Sequence, residues 1–414
     1  MLFTLIKNEF IKLVKKAKTW IVFCLFCIFI GLTIFGAFKS DQNMRYNMSP
    51  EKQLEYVNED LKYIDKEIAD FKNMSEEDKI KNAQYILETE SRKSEAEERK
   101  KEYENIITNG VPNDQWKKEL DENIKYAEEA VKRWEEKEID ESNQTWYLQD
   151  KQRLEEYKYL KDNNIKPLYG WEFEAYGYMK TLMVFLALAV LVSGIAVFMS
   201  DIVSGECTPA TLKFLLVQPI TRGKVLLSKF ITATLTTVTM IVGVELIGFG
   251  IVNLISPINT SIYPVTIGRL YKSQISKTTG IRELVSVAGS GEMVTNQELF
   301  VKAMLLQVLF IITACAVIFL ISSVIKSSMV TMATTVVVSV FLTIGCVSLK
   351  PLKAIAHLIF LNYADTISVI VGSTPLMYGN VNMTMNNGII VMIITSILSY
   401  VIGHLVFTRK DILI

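Results

Sequence analysis

Six long apolar runs, nearly free of charged residues, constrain this chain more than any other feature of its sequence. A bilayer core about 30 Å thick is crossed by roughly 20 predominantly apolar residues in a helix. The runs are Trp20–Phe38, Thr181–Met199, Phe230–Ile255, Ala303–Val324, the shorter and Thr/Val-rich Val330–Val347, and Gly388–Phe407. The sequence therefore predicts an all-α membrane protein with six transmembrane helices, at residues 20–38, 179–199, 230–255, 299–324, 330–349 and 388–407.

Charge is distributed very unevenly around these runs. The whole chain carries 44 acidic and 44 basic residues, but the block from Asp41 to Glu174 holds 35 of the acids and only 23 of the bases. A net charge of zero thus conceals an acidic soluble block and a basic membrane part.

Basic residues near the ends of the runs predict the orientation. They precede the first run, follow the second, separate the fourth from the fifth and follow the last, and six spans place all four positions on one side. The positive-inside rule makes that side cytoplasmic. Other bases oppose this orientation without reversing it: Arg269, Lys272, Lys277, Arg282, Lys350 and Lys353. We expect a multi-pass protein of the plasma membrane with both termini cytoplasmic. Residues 200–229 and 408–414 would then be cytoplasmic, and residues 39–178, 256–298 and 350–387 extracellular.

Residues 1–19 are predicted to form a cytoplasmic helix lying in the membrane interface. Their apolar residues recur at helical spacing with lysines on the opposite face: Phe3, Ile6, Phe10, Leu13 and Val14. Such lysines would meet the anionic lipids of the inner leaflet. The alternative is a short cytoplasmic extension of the first span. A cleaved signal peptide is not expected, because no small-residue cleavage site follows the long apolar run.

The acidic block is predicted to be a large external helical coiled hairpin between the first two spans. Apolar residues three and four apart indicate a coiled-coil seam: Leu54, Val57, Leu61, Ile64, Ile68 and Phe71. Ser49-Pro50 and Ser75 with Asp78 are typical helix starts, and residues 109–113 (NGVPN) should reverse the chain. A returning stripe from Trp116 to Trp134 and a helix near 147–161 would follow. The block is either a solvated stalk or a surface that attracts a cationic partner or substrate.

The sequence lacks the residue patterns that several kinds of chemistry require. No GxxxxGK phosphate-binding loop is present, so we expect no nucleotide site and no enzymatic activity in this chain. The two histidines, His357 and His404, lie on different segments, which argues against a histidine-based metal site or catalytic triad. Cys24 and Cys27 share a redox-like spacing but lie within an apolar run, where packing is their expected role. We expect no bound cofactor or metal and no nucleic-acid partner.

Between the second and third runs, residues 204–229 read SGECTPATLKFLLVQPITRGKVLLSK and predict a short amphipathic helix. Thr208 can cap this helix, Pro209 suits its first turn, and Pro219 stops it. Leu212, Leu215 and Leu216 share one face. A generic connector between two spans, basic and amphipathic by necessity, is the alternative.

This passage resembles the coupling loop of the ABC-2 type transporter permeases, and the resemblance covers all six spans. The matching residues are Gly205 and Glu206, then Thr211, Leu212, Leu215 and Leu216, then Pro219, Thr221, Arg222 and Lys229. Residues 207–210 depart from the pattern, since relatives usually carry charges and a glycine there. The resemblance implies that the loop docks on a separate ABC ATPase subunit, which binds the ATP and Mg²⁺. It also implies a partnership with a second copy of the permease or with a sister permease.

Two further features bear on a transport pathway. Glu245 is the one acid well inside an apolar run, and such residues normally face a bundle interior and often mark a pathway. It could contact a cationic substrate, take up a proton or bond to a polar residue of another span such as Thr313. Residues 354–371 are apolar but interrupted by polar residues, which fits the re-entrant segment implied by the family; a seventh span is the alternative.

These observations predict the permease subunit of an exporter that moves an amphiphilic or peptidic substrate outward. Two alternatives remain: an ATP-independent carrier that uses Glu245, and a membrane-anchored coiled-coil receptor or scaffold.

Overall fold

The computed structural model describes residues 2–136, 143–187, 190–207, 221–275 and 280–409. Most of them are helical. The helices are α1 (Leu2–Lys15), α2 (Ala17–Asn47), α3 (Pro50–Lys72), α4 (Glu76–Lys81), α5 (Ala83–Asn109), α6 (Gln115–Glu135), α7 (Gln144–Asp162), α8 (Ala175–Ala187), α9 (Val190–Met199), α10 (Arg222–Ile255), α11 (Asn296–Val324), α12 (Ser328–Ser348), α13 (Lys350–Ile355), α14 (Thr366–Val371), α15 (Thr374–Tyr378) and α16 (Met385–Arg409). The chain forms two compact units, one of residues 36–122 and 166–172, the other of residues 1–35, 123–165 and 173–414.

The smaller unit is built on α3 and α5, which pack against each other as an antiparallel pair. Its core consists of Val57, Ile64 and Ala96, with Leu61, Ile68 and Tyr103 packed against them. Four of these residues belong to the seam predicted on α3, namely Val57, Leu61, Ile64 and Ile68. The apolar spacing therefore identified the face of α3 that packs against α5. Ion pairs flank the core, among them Lys93–Asp65 at 2.7 Å.

Capping residues define where several of these helices begin. The Ser49 hydroxyl accepts a hydrogen bond from the Lys52 amide at 3.3 Å, and Pro50 occupies the first turn of α3, as the sequence predicts. The Ser75 hydroxyl likewise accepts from the Asp78 amide. The helix that Ser75 starts is the short α4, which ends at Lys81, and a separate helix, α5, runs from Ala83 to Asn109.

Five helices of the described chain are long and apolar enough to cross a membrane: α2, α10, α11, α12 and α16. A sixth candidate exists if α8 and α9 are counted together as one span, which would be bent by 64°. The predicted span 179–199 is therefore not one straight helix. α11 lies at the centre of the larger unit, where it contacts α8, α9, α10, α12 and α16. Its most apolar stretch is 61% buried, against 11% for that of α2.

Residues 350–387 form a chain of short helices rather than one long helix. α13 is followed by two 3₁₀ turns, Ala356–Leu358 and Phe360–Tyr363, and then by α14 and α15. None of these approaches the roughly 20 residues that a span requires. The continuous helix that a seventh span at 354–371 would need does not form.

The described part of residues 264–295 adds four short strands to the predicted all-α fold. β1 (Pro264–Ile267) pairs antiparallel with β4 (Glu292–Thr295), and β2 (Tyr271–Ile275) pairs antiparallel with β3 (Arg282–Ser286). α7 packs against β1 and β3. Glycines with positive φ punctuate the strands, as at Gly268 (71°) and Gly289 (72°), where residues with a Cβ would be strained.

Candidate functional site

The loop between α9 and α10 carries most of the residues singled out by sequence, and only its two ends are described. Thr211, Leu212, Leu215 and Leu216 lie outside the described residues. Gly205 and the backbone of Glu206 form a 3₁₀ turn at residues 204–207, and Arg222 is the first residue of α10. A Cβ at Gly205 would lie 3.0 Å from the Cβ of Asp201, so glycine permits this close turn. The helix of the third span therefore starts at Arg222, before residue 230 where the span was predicted to begin, and includes the last residues of the predicted loop.

Asp201, just before this turn, is held by two lysines from the N-terminal segment. The Lys18 and Lys16 ammonium groups lie 2.8 Å and 3.2 Å from its carboxylate oxygens. Burial alone would raise the pKa of Asp201, but the hydrogen bonds and charges of the two lysines outweigh burial and lower the pKa. Two of the lysines expected to face lipid therefore bind a carboxylate at the end of α9.

A serine cluster fixes the same point to the central helix. The Ser322 hydroxyl of α11 donates to the Ser200 carbonyl at 3.0 Å and accepts from the Ser204 amide at 3.1 Å. The Ser204 hydroxyl is also 3.0 Å from that of Ser328, at the start of α12. Three helices thus meet where the loop begins.

On the far side of the loop, α1 is tied to α10. The Lys229 ammonium lies 2.9 Å from a Glu9 carboxylate oxygen, and the two side chains are only 8% and 13% exposed. The Thr232 hydroxyl also donates to the Ile6 carbonyl at 3.3 Å. The N-terminal segment consequently contacts the chain both before and after the loop, at Asp201 and at Lys229.

Glu245 lies deep in the larger unit, on α10. Its side chain is fully buried, and one carboxyl oxygen accepts a hydrogen bond from the Gln307 amide of α11 at 2.9 Å. The suggested partner Thr313 is wrong, because its hydroxyl donates to the Leu309 and Met392 carbonyls instead. The sequence contained a signal for the true partner, since Gln307 is an isolated amide within an apolar run.

A second buried polar cluster, centred on Glu174, was not foreseen. Glu174 is 5% exposed and accepts hydrogen bonds from the amides of Tyr176 and Gly177 and from the Thr260 hydroxyl. Asn296 continues the cluster by donating to the Thr260 carbonyl at 3.1 Å and accepting from the Lys180 ammonium at 3.2 Å. The carboxylate caps the first turn of α8, which explains an acid at this position.

The described residues therefore offer polar contacts at both ends of one loop and a buried acid within a bundle of apolar helices. Comparison with curated proteins gave no match, and comparison with solved structures gave none either. The family model described as ABC-2 family transporter protein matches residues 3–412, which is nearly the whole chain. The chain therefore belongs to the ABC-2 transporter family, whose members are multi-pass membrane subunits of ABC transporters that lack the nucleotide-binding domain.

Proposed function

We propose that this chain is the permease subunit of an exporter, and that it moves an amphiphilic or peptidic substrate outward on energy supplied by a separate ABC ATPase. Family membership supports the transport role and the partnership with an ATPase. ATP and Mg²⁺ bind to the partner chain in this proposal. A second copy of the permease, or a sister permease, completes the pathway within the bilayer.

The ATPase docks on the loop at residues 200–229, through Gly205, Glu206, Thr211, Leu212, Leu215, Leu216 and Arg222. The observation that carries this proposal is the anchoring of both ends of the loop to the N-terminal segment, at Asp201 and at Lys229. A loop anchored at both ends can transmit a displacement imposed by the ATPase to α9 and α10. A loosely attached connector would move without moving these helices.

The orientation proposed is that predicted from the basic residues, with both termini cytoplasmic and the acidic hairpin outside. The described structure is consistent with an even number of spans if α8 and α9 together count as one. An acidic outer surface would attract cationic substrates or partners during release. Cysteine-accessibility labelling of a cysteine placed at the exposed residue Val111 in intact cells tests this orientation directly.

The docking proposal is tested by copurification of the full-length permease with a co-expressed ATPase subunit. Leu212→Asp and Leu216→Asp should each abolish copurification and substrate-stimulated ATP hydrolysis. Met329→Asp provides the matched control, because Met329 is an exposed apolar residue at the start of α12, outside the loop. If complex formation and stimulated hydrolysis survive both leucine changes, the coupling assignment is wrong.

Glu245 is the candidate pathway residue, and it also supports the second candidate function, an ATP-independent carrier. A buried acid on a spanning helix is the feature that such a carrier would use. Transport into vesicles should stop when a hydrolysis-deficient ATPase replaces the active one. Transport that continues, and that depends on a coupling ion, would favour the carrier.

A further inference from the structure

A hydrogen bond between the side chains of Glu245 and Gln307 joins α10 to α11. The amide nitrogen of Gln307 donates to Oε1 of Glu245 at 2.9 Å. The two side chains are 0% and 2% exposed, so neither water nor lipid headgroups reach them from the surface. Buried polar groups in proteins are nearly always paired, which makes the remaining atoms of this pair informative.

In the described structure, one polar atom on each of these two side chains has no hydrogen-bond partner. These are Oε2 of Glu245 and Oε1 of Gln307. An ionised carboxylate and an amide oxygen are both acceptors, so they cannot bond to each other. A neutral carboxyl group differs because its hydroxyl is a donor. A carboxylic acid and a primary amide can then join through two hydrogen bonds, N–H to acid oxygen and O–H to amide oxygen. The two unpaired atoms are the ones that this second bond requires.

The surroundings of Glu245 provide no other compensation for a negative charge. Among the described residues, no lysine or arginine is paired with it, and no group of metal-ligating side chains is present. From α8, the titratable group that interacts with it is the Tyr178 phenol, which shares a hydrogen bond of 2.9 Å with the Thr33 hydroxyl of α2. Gly248, a turn further along α10, packs against the apolar side chain of Ile30. An unpaired carboxylate in such surroundings is strongly unfavourable.

We propose that Glu245 is a proton-binding site, and that its neutral carboxyl group forms a cyclic acid–amide pair with Gln307. The proton comes from the aqueous phase and adds to the carboxylate, and no other bond is made or broken. The pair fastens α10 to α11 within the membrane. Movement that separates the two helices and admits water at this level would remove the bond that holds the neutral acid and hydrate the carboxylate, which favours release of the proton. This inference is independent of the substrate and of the ATPase.

The test is infrared spectroscopy of the purified full-length protein in lipid nanodiscs at about pH 7, where an exposed glutamate is ionised. A neutral carboxyl group has a C=O stretching band at higher frequency than a carboxylate. We expect such a band in the wild-type protein and its loss in Glu245→Gln, which should still fold because two amides can pair in the same way. Glu174→Gln is the control, because both oxygens of Glu174 already accept hydrogen bonds, and this substitution should leave the band unchanged.

The exchange variant Glu245→Gln/Gln307→Glu separates the pairing from a general effect of burial. It moves the acid from α10 to α11 and keeps one acid and one amide, so the high-frequency band and the thermal stability of the wild type should both return. Gln307→Leu should lower the unfolding temperature, since it leaves the acid without its partner. A wild-type spectrum without the band, or a band that Glu245→Gln leaves unchanged, would overturn the proposal. Failure of the exchange variant to restore the band would do so as well.

Discussion

The ion pair between Glu9 and Lys229 offers the sharpest test of how the N-terminal helix is attached. Lys229→Met removes the ammonium group and keeps an unbranched apolar side chain of similar length. Breaking a buried ion pair by removing one partner costs about 3–5 kcal/mol, because the other charge stays buried. Here Lys12 remains 3.0 Å from Glu9, but it is 54% exposed, and exposed pairs contribute only about 0–1 kcal/mol. We therefore expect Lys229→Met to lower the free energy of unfolding by about 2–4 kcal/mol.

The double variant Glu9→Leu/Lys229→Met makes this estimate specific to the pair. Replacing both charges with apolar side chains of similar volume is often neutral or stabilising, since no buried charge is left alone. We expect the double variant to recover most of the stability that Lys229→Met loses. The free energy of unfolding would be measured on the full-length chain by denaturant titration in mixed micelles. If the double variant is less stable than Lys229→Met, the two side chains do not stabilise each other and the reasoning fails.

Three further changes test other parts of the structure. The pKa of Asp201 is lowered by its lysines, so its stabilisation is present above the unfolded-state pKa of about 3.9 and is lost as pH falls through the lower folded value; Asp201→Asn should be less stable than wild type at about pH 7, and the difference should disappear in strong acid. Gly388→Ala would place a Cβ 2.7 Å from Cε1 of the fully buried Tyr363 ring, and overpacking of this kind costs about 1–3 kcal/mol. Gly31→Ala, with open space around it, is the matched control, and thermal unfolding of both variants measures the difference. Ile64→Ala should lower stability by about 2–5 kcal/mol and reduce helical circular dichroism, because Ile64 is 1% exposed in the α3–α5 core; an unchanged unfolding curve would show that the two helices do not pack as described.

Features that depend on local sequence could be predicted well. The apolar runs gave the candidate spans, and Ser49-Pro50 gave the start of α3 to the residue, because hydropathy and capping are decided within a few positions. The strands at residues 264–295 were missed although a signal existed. Short stretches rich in Val, Thr and Ile between glycines, such as PVTI before Gly268, are typical of strands.

Contacts between distant residues could not be predicted from one sequence. Thr313 and Gln307 are both polar residues within the same apolar run, and either could have faced Glu245. Six residues at 3.6 residues per turn leave the two side chains about 120° apart around the helix axis. Only the packing of α10 on α11 selects Gln307. The ion pairs of Asp201 with Lys16 and Lys18 could not be predicted either, because the local sequence of neither segment indicates which residue it contacts.

These long-range polar contacts have a common physical role in a membrane protein. Lipid chains are as apolar as leucine, so hydrophobic burial does not by itself decide how two spanning helices slide or rotate against each other. A polar contact does decide it, because misalignment leaves a donor or acceptor unpaired in an apolar environment. Lys229 with Glu9 sets α10 against α1, Gln307 with Glu245 sets α11 against α10, and Thr313 sets α11 against α16. The few polar residues of the apolar runs therefore carry the information about helix register that the runs themselves lack.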